Sequence, residues 1–212
     1  MIRDPIEVER YRADPGARDR MRAELGLGPG AFLFGYVSRL SVPKQPVELV
    51  QAFARVAARF PESHFVLVGD GALREATERK VAELGFGDRV RLMGLRRDVP
   101  AFLSAFDAFV LMTEWEGLPR VLPQALAAGL PIVTTEVDGT PEAVREGETG
   151  YLVAPGDVEV FSERMCALAA DPARARAMGQ AGMLLVDEFS AWRVVEQLAG
   201  LYEELMARRP GR

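Results

Sequence analysis

The sequence is short of the residues that most often carry enzyme chemistry. It has one cysteine, Cys166, and one histidine, His64. A single cysteine excludes an internal disulfide and a cysteine-based metal cluster, and it fits a reducing compartment. The one histidine opens an apolar run and reads as structural, so neither a Ser-His-Asp relay nor a zinc set is available. Lysine is nearly absent: only Lys44 and Lys80 stand among 26 basic residues, the rest being arginine. No uninterrupted apolar run approaches the roughly 20 residues that span a bilayer. The opening "MIRDPIEVERYRADPG" is charged and broken by proline, so it does not read as a signal peptide. Internal repeats and low-complexity segments are missing. The net charge of −5 argues against a general binder of nucleic acid or anionic membrane, so any anion site must be local.

What is present is a globular composition, 49% hydrophobic and 27% charged over 212 residues. Short apolar runs alternate with helical patterns. Strands are expected at "FLFGYV" (32–37), "HFVLVG" (64–69), "VRLMG" (90–94), "DAFVLM" (107–112), "LPIVTT" (130–135) and "GYLV" (150–153). Helices are expected near 46–59, 72–84, 98–104, 119–128 and 141–146, and then at 157–170, 172–188 and 190–208. In the last of these Val194, Leu198, Leu201, Tyr202 and Leu205 form an apolar stripe, with Ser190 as N-cap. Near-continuous apolar strands separated by helices predict a parallel sheet covered on both faces, a doubly wound Rossmann-like fold of about six strands. Ligands of such sheets bind beyond the carboxyl ends of the strands, where helix N-termini offer free N–H groups.

The loops at those ends hold the candidates. In "SRLSVPKQP" (38–46), Arg39 and Lys44 leave one strand end ahead of a helix start. They suit a diphosphate, Arg as a planar fork and Lys as a point charge, or else they form a solvated basic loop. In "GDGALRE" (69–75), Gly69 and Gly71 allow a tight turn or close backbone approach, though the run is not a dinucleotide fingerprint. In "MGLRRDVP" (93–100) the backbone around Leu95 can meet a base edge, while Arg96 and Arg97 are equally surface residues. In "TEWEGLPRVLPQALAAGLP" (113–131), Thr113 and Glu116 lie in the loop. Pro119 is expected at the first helical position, and the amides near Gly117 and Leu118 form an anion seat. Glu116 and Gln124 would accept hydrogen bonds from hydroxyls, or else cap a dipole and face solvent respectively. In "EVDGTPEAVREGETGYLV" (136–153), Asp138, Gly139 and Thr140 precede Pro141 at a second helix start, and Glu142 alone reads as dipole complementation.

Taken together, "GYVSRLSVPKQP", "FVLVGDGALRE", "TEWEGLPRVLPQALAAGLPIV" and "VDGTPEAVREGETGYLVAPGD" resemble the C-terminal, nucleotide-sugar-binding half of GT-B glycosyltransferases. The specific likeness is to glycosyltransferase family 4, the glycosyl transferases group 1 set. The resemblance implies retaining transfer from a nucleoside-diphosphate sugar, UDP or GDP being the candidate nucleotides, without a metal or other cofactor. It gives Arg39, Lys44 and Glu116 the catalytic places: the first two on the leaving diphosphate, Glu116 on donor-sugar hydroxyls as the first acid of a Glu-x7-Glu motif. Gln124 takes the second place, normally a glutamate on the nucleotide ribose. Gly69, Gly71, Leu95, Thr113, Gly117, Leu118, Pro119, Gly139, Thr140 and Glu142 line the donor site. Three positions depart from the family: Ser38 and Gln45 stand where glycine is usual, and Gln124 replaces glutamate.

The resemblance also implies a layout. Residues 1–30, including "RDPIEVERY" (3–11), are expected as inter-domain linker and leading helix, 31–188 as the donor domain, and 189–212 as a closing helix that packs toward another domain. An N-terminal acceptor-binding Rossmann domain, in cis or in trans, is the expected partner, and the chain alone is expected to be incomplete and inactive. A cytoplasmic location is expected, with membrane contact only through that other domain. The alternatives are a non-catalytic nucleotide-sugar-binding module and a GT-B sugar-nucleotide epimerase or hydrolase.

Overall fold

In the computed structural model, residues 5–207 are described. Six strands, β1 (Phe32–Val37), β2 (Ser63–Val68), β3 (Val90–Leu92), β4 (Ala108–Leu111), β5 (Ile132–Thr135) and β6 (Gly150–Val153), form one sheet in the order β3-β2-β1-β4-β5-β6. Every pairing is parallel, with Phe32 to Val37 opposite Ser63 to Val68 and Phe34 opposite Ala108. This is the doubly wound Rossmann-like arrangement the alternating pattern predicts. Strand order reverses between β1 and β4, which opens a crevice beyond their carboxyl ends.

The helices are α1 (Val8–Tyr11), α2 (Pro15–Glu24), α3 (Pro46–Arg59), α4 (Arg74–Leu84), α5 (Val99–Ala105), α6 (Val121–Ala127), α7 (Thr140–Ala143), α8 (Val158–Ala170), α9 (Pro172–Met183) and α10 (Ala191–Ala207). One layer packs α3 against α4 and α8; the other joins α2 to α5 and α6 to α1 and α9. Caps end these elements as their residue types dictate. Asp14, Asp157 and Asp171 accept from Gly16, Val160 and Arg174 amides at 2.8, 2.9 and 3.0 Å, and the Ser190 hydroxyl accepts from Arg193 at 3.2 Å.

The helix α3 buries Leu49, Val50, Phe53 and Val56, one face at helical spacing. Its Phe53 ring lies 5.4 Å from Phe65 of β2 and 6.2 Å from Phe34 of β1. Gly35 interrupts the apolar run of β1 because the Phe106 ring lies over it: a Cβ there would come within 1.9 Å of that ring.

Below the sheet, at the amino ends of its strands, one carboxylate organises the joints. Asp107 accepts the Leu33 amide at 2.7 Å, Arg18 at 2.5 Å and Arg22 at 3.0 Å. Arg18 also donates to the carbonyls of Ser104, Ala105 and Phe106, closing the carboxyl end of α5. The helix α2 is thereby clamped to the start of β4.

Several boundaries differ from those expected. The leading segment contains two helices, α1 and α2, separated around Arg12 to Asp14. The expected helix 119–128 starts at Val121, with Arg120 as its N-cap and the Pro119 carbonyl accepting from Leu122 at 2.9 Å, so Pro119 is not the first helical residue. The expected helix 172–188 ends at Met183 and tightens into a 3-10 turn, Val186–Phe189, which turns both Val186 and Phe189 inward. The helix expected over 141–146 is a single turn, α7, because Val144 is already extended. On α10 only Val194 of the apolar stripe is buried; Leu201, Tyr202 and Leu205 are exposed. The expected ends at Arg3 and Arg208 lie outside the described residues.

Replacing Asp107 with alanine strips two half-buried guanidinium groups and one strand amide of their acceptor. The expected loss is about 2–4 kcal/mol of unfolding free energy by chemical denaturation. A loss below about 1 kcal/mol, the level of an exposed ion pair, would contradict the clamp.

Candidate functional site

The crevice between β1 and β4 is built by three loops. The first leaves β1 over Ser38 to Gln45. The buried Tyr36 hydroxyl donates to the Arg39 carbonyl at 2.9 Å, and burial pushes its pKa well up, so the phenol remains a donor. Ser38 and Leu40 amides donate to the carbonyls of Val68 and Asp70. The loop then makes a 3-10 turn, Val42–Lys44, and enters α3 through Gln45.

The second loop, after β4, is stitched to the first. The Pro43 carbonyl accepts both the Glu114 amide, at 2.9 Å, and the Thr113 hydroxyl, at 2.7 Å. Lys44 Nζ meets the Glu116 carboxylate, and both side chains are largely buried. The third loop, after β5, closes on the second. The Asp138 carboxylate accepts the Glu116 amide at 2.8 Å, and the Gly139 amide donates to the Gly117 carbonyl at 3.0 Å. A Cβ on Gly139 would lie 2.5 Å from that carbonyl, so only glycine lets the loops approach this closely.

This seam leaves particular groups free. Arg39 is exposed, and its guanidinium has no acidic partner among the described residues. It is near enough to Lys44 for their like charges to repel. Burial, and after it this repulsion, lowers the Lys44 pKa from its usual value. The amides of Gly117 and Leu118 meet no protein acceptor among the described residues. The α3 N-terminus has no side-chain cap, and because Pro46 lacks an N–H its unpaired donors begin with the Val47 and Glu48 amides. Two cations and two sets of free amides at one strand edge can hold a diphosphate; Glu116, the acceptor between them, can hold hydroxyls.

Some expected roles change with the geometry. Thr113 is fully buried, its hydroxyl committed to Pro43 and Trp115 carbonyls, and its backbone exchanges hydrogen bonds with the Thr135 hydroxyl. It fastens loops rather than facing the crevice. Thr140 is equally buried and donates to Thr135 and Val137 carbonyls. The need for glycine at 69 and 71 is internal: a Cβ would lie 1.9 Å from the Ser38 carbonyl and 2.3 Å from that of Leu40. Pro119 is buried behind the free amides. Gln124 is half-buried midway along α6, and Glu142 is half-buried in the single turn α7.

Leu95 is exposed beside a hollow of about 270 Å³ that Val37, Ser38, Arg39, Gly69 and Asp70 also line. Asp138, which the sequence reading placed ahead of a helix start without a role in the site, holds the Glu116 amide from a left-handed conformation, φ 42°. The signal available for it was an aspartate ahead of glycine in a turn.

A larger cavity, about 630 Å³, lies at the opposite edge and is lined by Arg18, Arg22, Arg59, Arg176 and Asp107. Two of its arginines are already committed to Asp107. The smaller crevice at the switch point is therefore the candidate site. His64 sits at the amino end of β2, and burial followed by Arg91 and Arg89 lowers its pKa, keeping the ring neutral. Among the described residues no three His, Cys, Asp or Glu side chains converge to hold a metal, and no helix is long and apolar enough to cross a membrane.

A family model for glycosyl transferases group 1 matches residues 31–171. The chain is 33% identical to the GDP-mannose-dependent alpha-(1-6)-phosphatidylinositol monomannoside mannosyltransferase of Mycolicibacterium smegmatis, over 98% of this chain and 56% of that protein. HepE of Anabaena, solved in complex with UDP, superposes with a TM-score of 0.88 at 24% identity, over 96% of this chain and 57% of that one. The C-terminal domain of LpcC, a glycosyl transferase group 1 protein of Francisella tularensis, superposes at 0.80 with 19% identity, over 88% of this chain and 99% of that domain. The chain spans about half the length of the curated relatives it matches.

Gly139→Ala forces the second and third loops apart. The expected cost is about 1–3 kcal/mol of stability by denaturant unfolding. A change within about 0.5 kcal/mol, the size of an ordinary surface substitution, would contradict the close approach.

Proposed function

Because the chain belongs to the glycosyl transferases group 1 family, we propose that it is the donor-binding half of a sugar transferase. It takes a nucleoside-diphosphate sugar at the β1/β4 crevice and moves the sugar to an acceptor with retention of configuration. The observation that supports this reading is the seam itself, with an Arg39 that has no acidic partner among the described residues, a largely buried Lys44 and the free amides of Gly117 and Leu118 on loops joined at the same strand ends. The mannosyltransferase relative is named for GDP-mannose and the HepE structure holds UDP, so UDP and GDP sugars are the first donors to test.

Each group then has a task. Arg39 and Lys44 neutralise charge on the departing diphosphate, where fixed cations in a partly dehydrated crevice act most strongly. The Gly117 and Leu118 amides take phosphate oxygens. Glu116 accepts from hydroxyls of the sugar, and Gln124 from the nucleotide ribose. The nucleobase lies in the hollow beside Leu95. Gly139, Thr140 and Glu142 belong to the loop that supports the sugar end, with Thr113, Gly69 and Gly71 holding the walls. No metal enters the proposed reaction: positioning and charge stabilisation carry it.

The proposal extends to layout. Residues 31–188 form the donor domain, 1–30 the connection, and 189–212 a closing helix against an acceptor-binding Rossmann domain. The uncovered Leu201, Tyr202 and Leu205 on α10 support that last point. The working compartment is the cytoplasm. Gln124 favours a second reading, a module that binds sugar nucleotides without turnover, because an amide in that place loses the charge of a carboxylate.

A nucleoside diphosphate at a hundred times its Kd should add about 2.7 kcal/mol to stability. That is a rise in Tm of roughly 5–10 °C for a chain of this size. Arg39→Ala and Lys44→Ala should each abolish it. No shift with UDP, GDP or ADP in a thermal melt would contradict the reading.

A further inference from the structure

Gln45 occupies a place that its side chain does not suit. It joins the 3-10 turn to α3 with φ 40° and ψ 49°, in the left-handed region that glycine enters freely and other L residues enter under strain. It is also the N-cap of α3, yet its side chain makes no capping hydrogen bond, and glutamine is not among the residues that cap well. Its Oε1 is fully buried with no donor among the described residues. The other end of the carboxamide makes one long contact, Nε2 to Glu114 Oε1 at 3.4 Å.

These three costs fall on one residue, next to Lys44 and on the seam that carries Glu116. Strain of this kind persists where surroundings enforce it, and it concentrates where a ligand is handled. A buried carbonyl oxygen calls for a hydrogen-bond donor. Phosphate oxygens cannot supply one, since they only accept and would repel it. Hydroxyl groups can. Gln45 follows Lys44, whose Nζ meets Glu116, so this oxygen belongs to the same seam as the carboxylate proposed to hold donor hydroxyls.

We propose that the Gln45 carboxamide reads the transferred sugar of the donor, its Oε1 accepting a hydrogen bond from a sugar hydroxyl. The proposal rests on the reading of the seam as the donor site. Gln45 is then a specificity residue rather than a member of the diphosphate clamp, and it separates a sugar nucleotide from the bare nucleotide it leaves behind.

The test compares paired probes, UDP with UDP-glucose, GDP with GDP-mannose and ADP with ADP-glucose, by calorimetric titration of the 212-residue chain. In Gln45→Gly the left-handed position is relieved, so Tm is unchanged or raised. Affinity for the sugar nucleotide that binds the wild type falls about three- to tenfold, the worth of one hydrogen bond, while its nucleoside diphosphate changes less than twofold. Gln45→Met, of similar length but without the amide, should show the same selective loss. If either variant keeps the wild-type ratio of the two affinities, or weakens both probes equally as a ribose contact would, the proposal is overturned while the donor-site reading stands. If no nucleoside diphosphate binds the wild type, both fall together.

Discussion

The Pro43 carbonyl takes two donors from the loop after β4, the Glu114 amide and the Thr113 hydroxyl, and the position of everything chemical depends on that stitch. It brings the strand-end segment carrying Lys44 against the one carrying Glu116. A peptide carbonyl can accept twice because it has two lone pairs, so one small joint orders two loops that lie 70 residues apart in sequence. The third loop adds Asp138 and Gly139, which hold the Glu116 amide and the Gly117 carbonyl. Much of the crevice backbone is thus satisfied internally, and the Gly117 and Leu118 amides, without a protein acceptor among the described residues, are left for a ligand.

Charge is divided between the two edges of the sheet. At the amino edge, arginines are spent on Asp107 and on the carbonyls closing α5, so cations there hold the fold together. At the carboxyl edge Arg39 has no acid among the described residues, and Lys44 pairs with Glu116, the carboxylate proposed to receive hydroxyls. A chain with net charge −5 can therefore present a local anion site without a general affinity for polyanions. Placement beside dipoles and free amides matters more here than the number of basic residues.

Much of this was legible in the sequence. The runs 32–37, 46–59 and 150–153 appear in the structure residue for residue, because an apolar run bounded by turn residues and an amphipathic stretch opened by proline carry their own boundaries. Arg39, Lys44 and Glu116 could be picked out because strand ends in a doubly wound sheet point to one edge. The start of α6 was misread through Pro119, since proline suits the residue before an N-cap as well as the first turn. Thr113 and Thr140 looked like ligand contacts because a hydroxyl's partner cannot be seen when it is a carbonyl 70 residues away or a bend not yet formed. Gly69 and Gly71 were visible as glycines, but the carbonyls they make room for were not. The strain at Gln45 is likewise a property of the closed loop, invisible in the letters "PKQP".

The central claim is that the β1/β4 seam is an anion site for a nucleoside diphosphate. Titrating UDP, then GDP and ADP, into the isotopically labelled chain while following backbone amide NMR signals tests it most directly. Saturable shifts centred on residues 39–48 and 114–118, with a second group near Leu95, are the predicted result. Shifts centred on Arg18, Arg59 and Arg176 at the opposite edge, or no saturable shift with any of the three nucleotides, would contradict it.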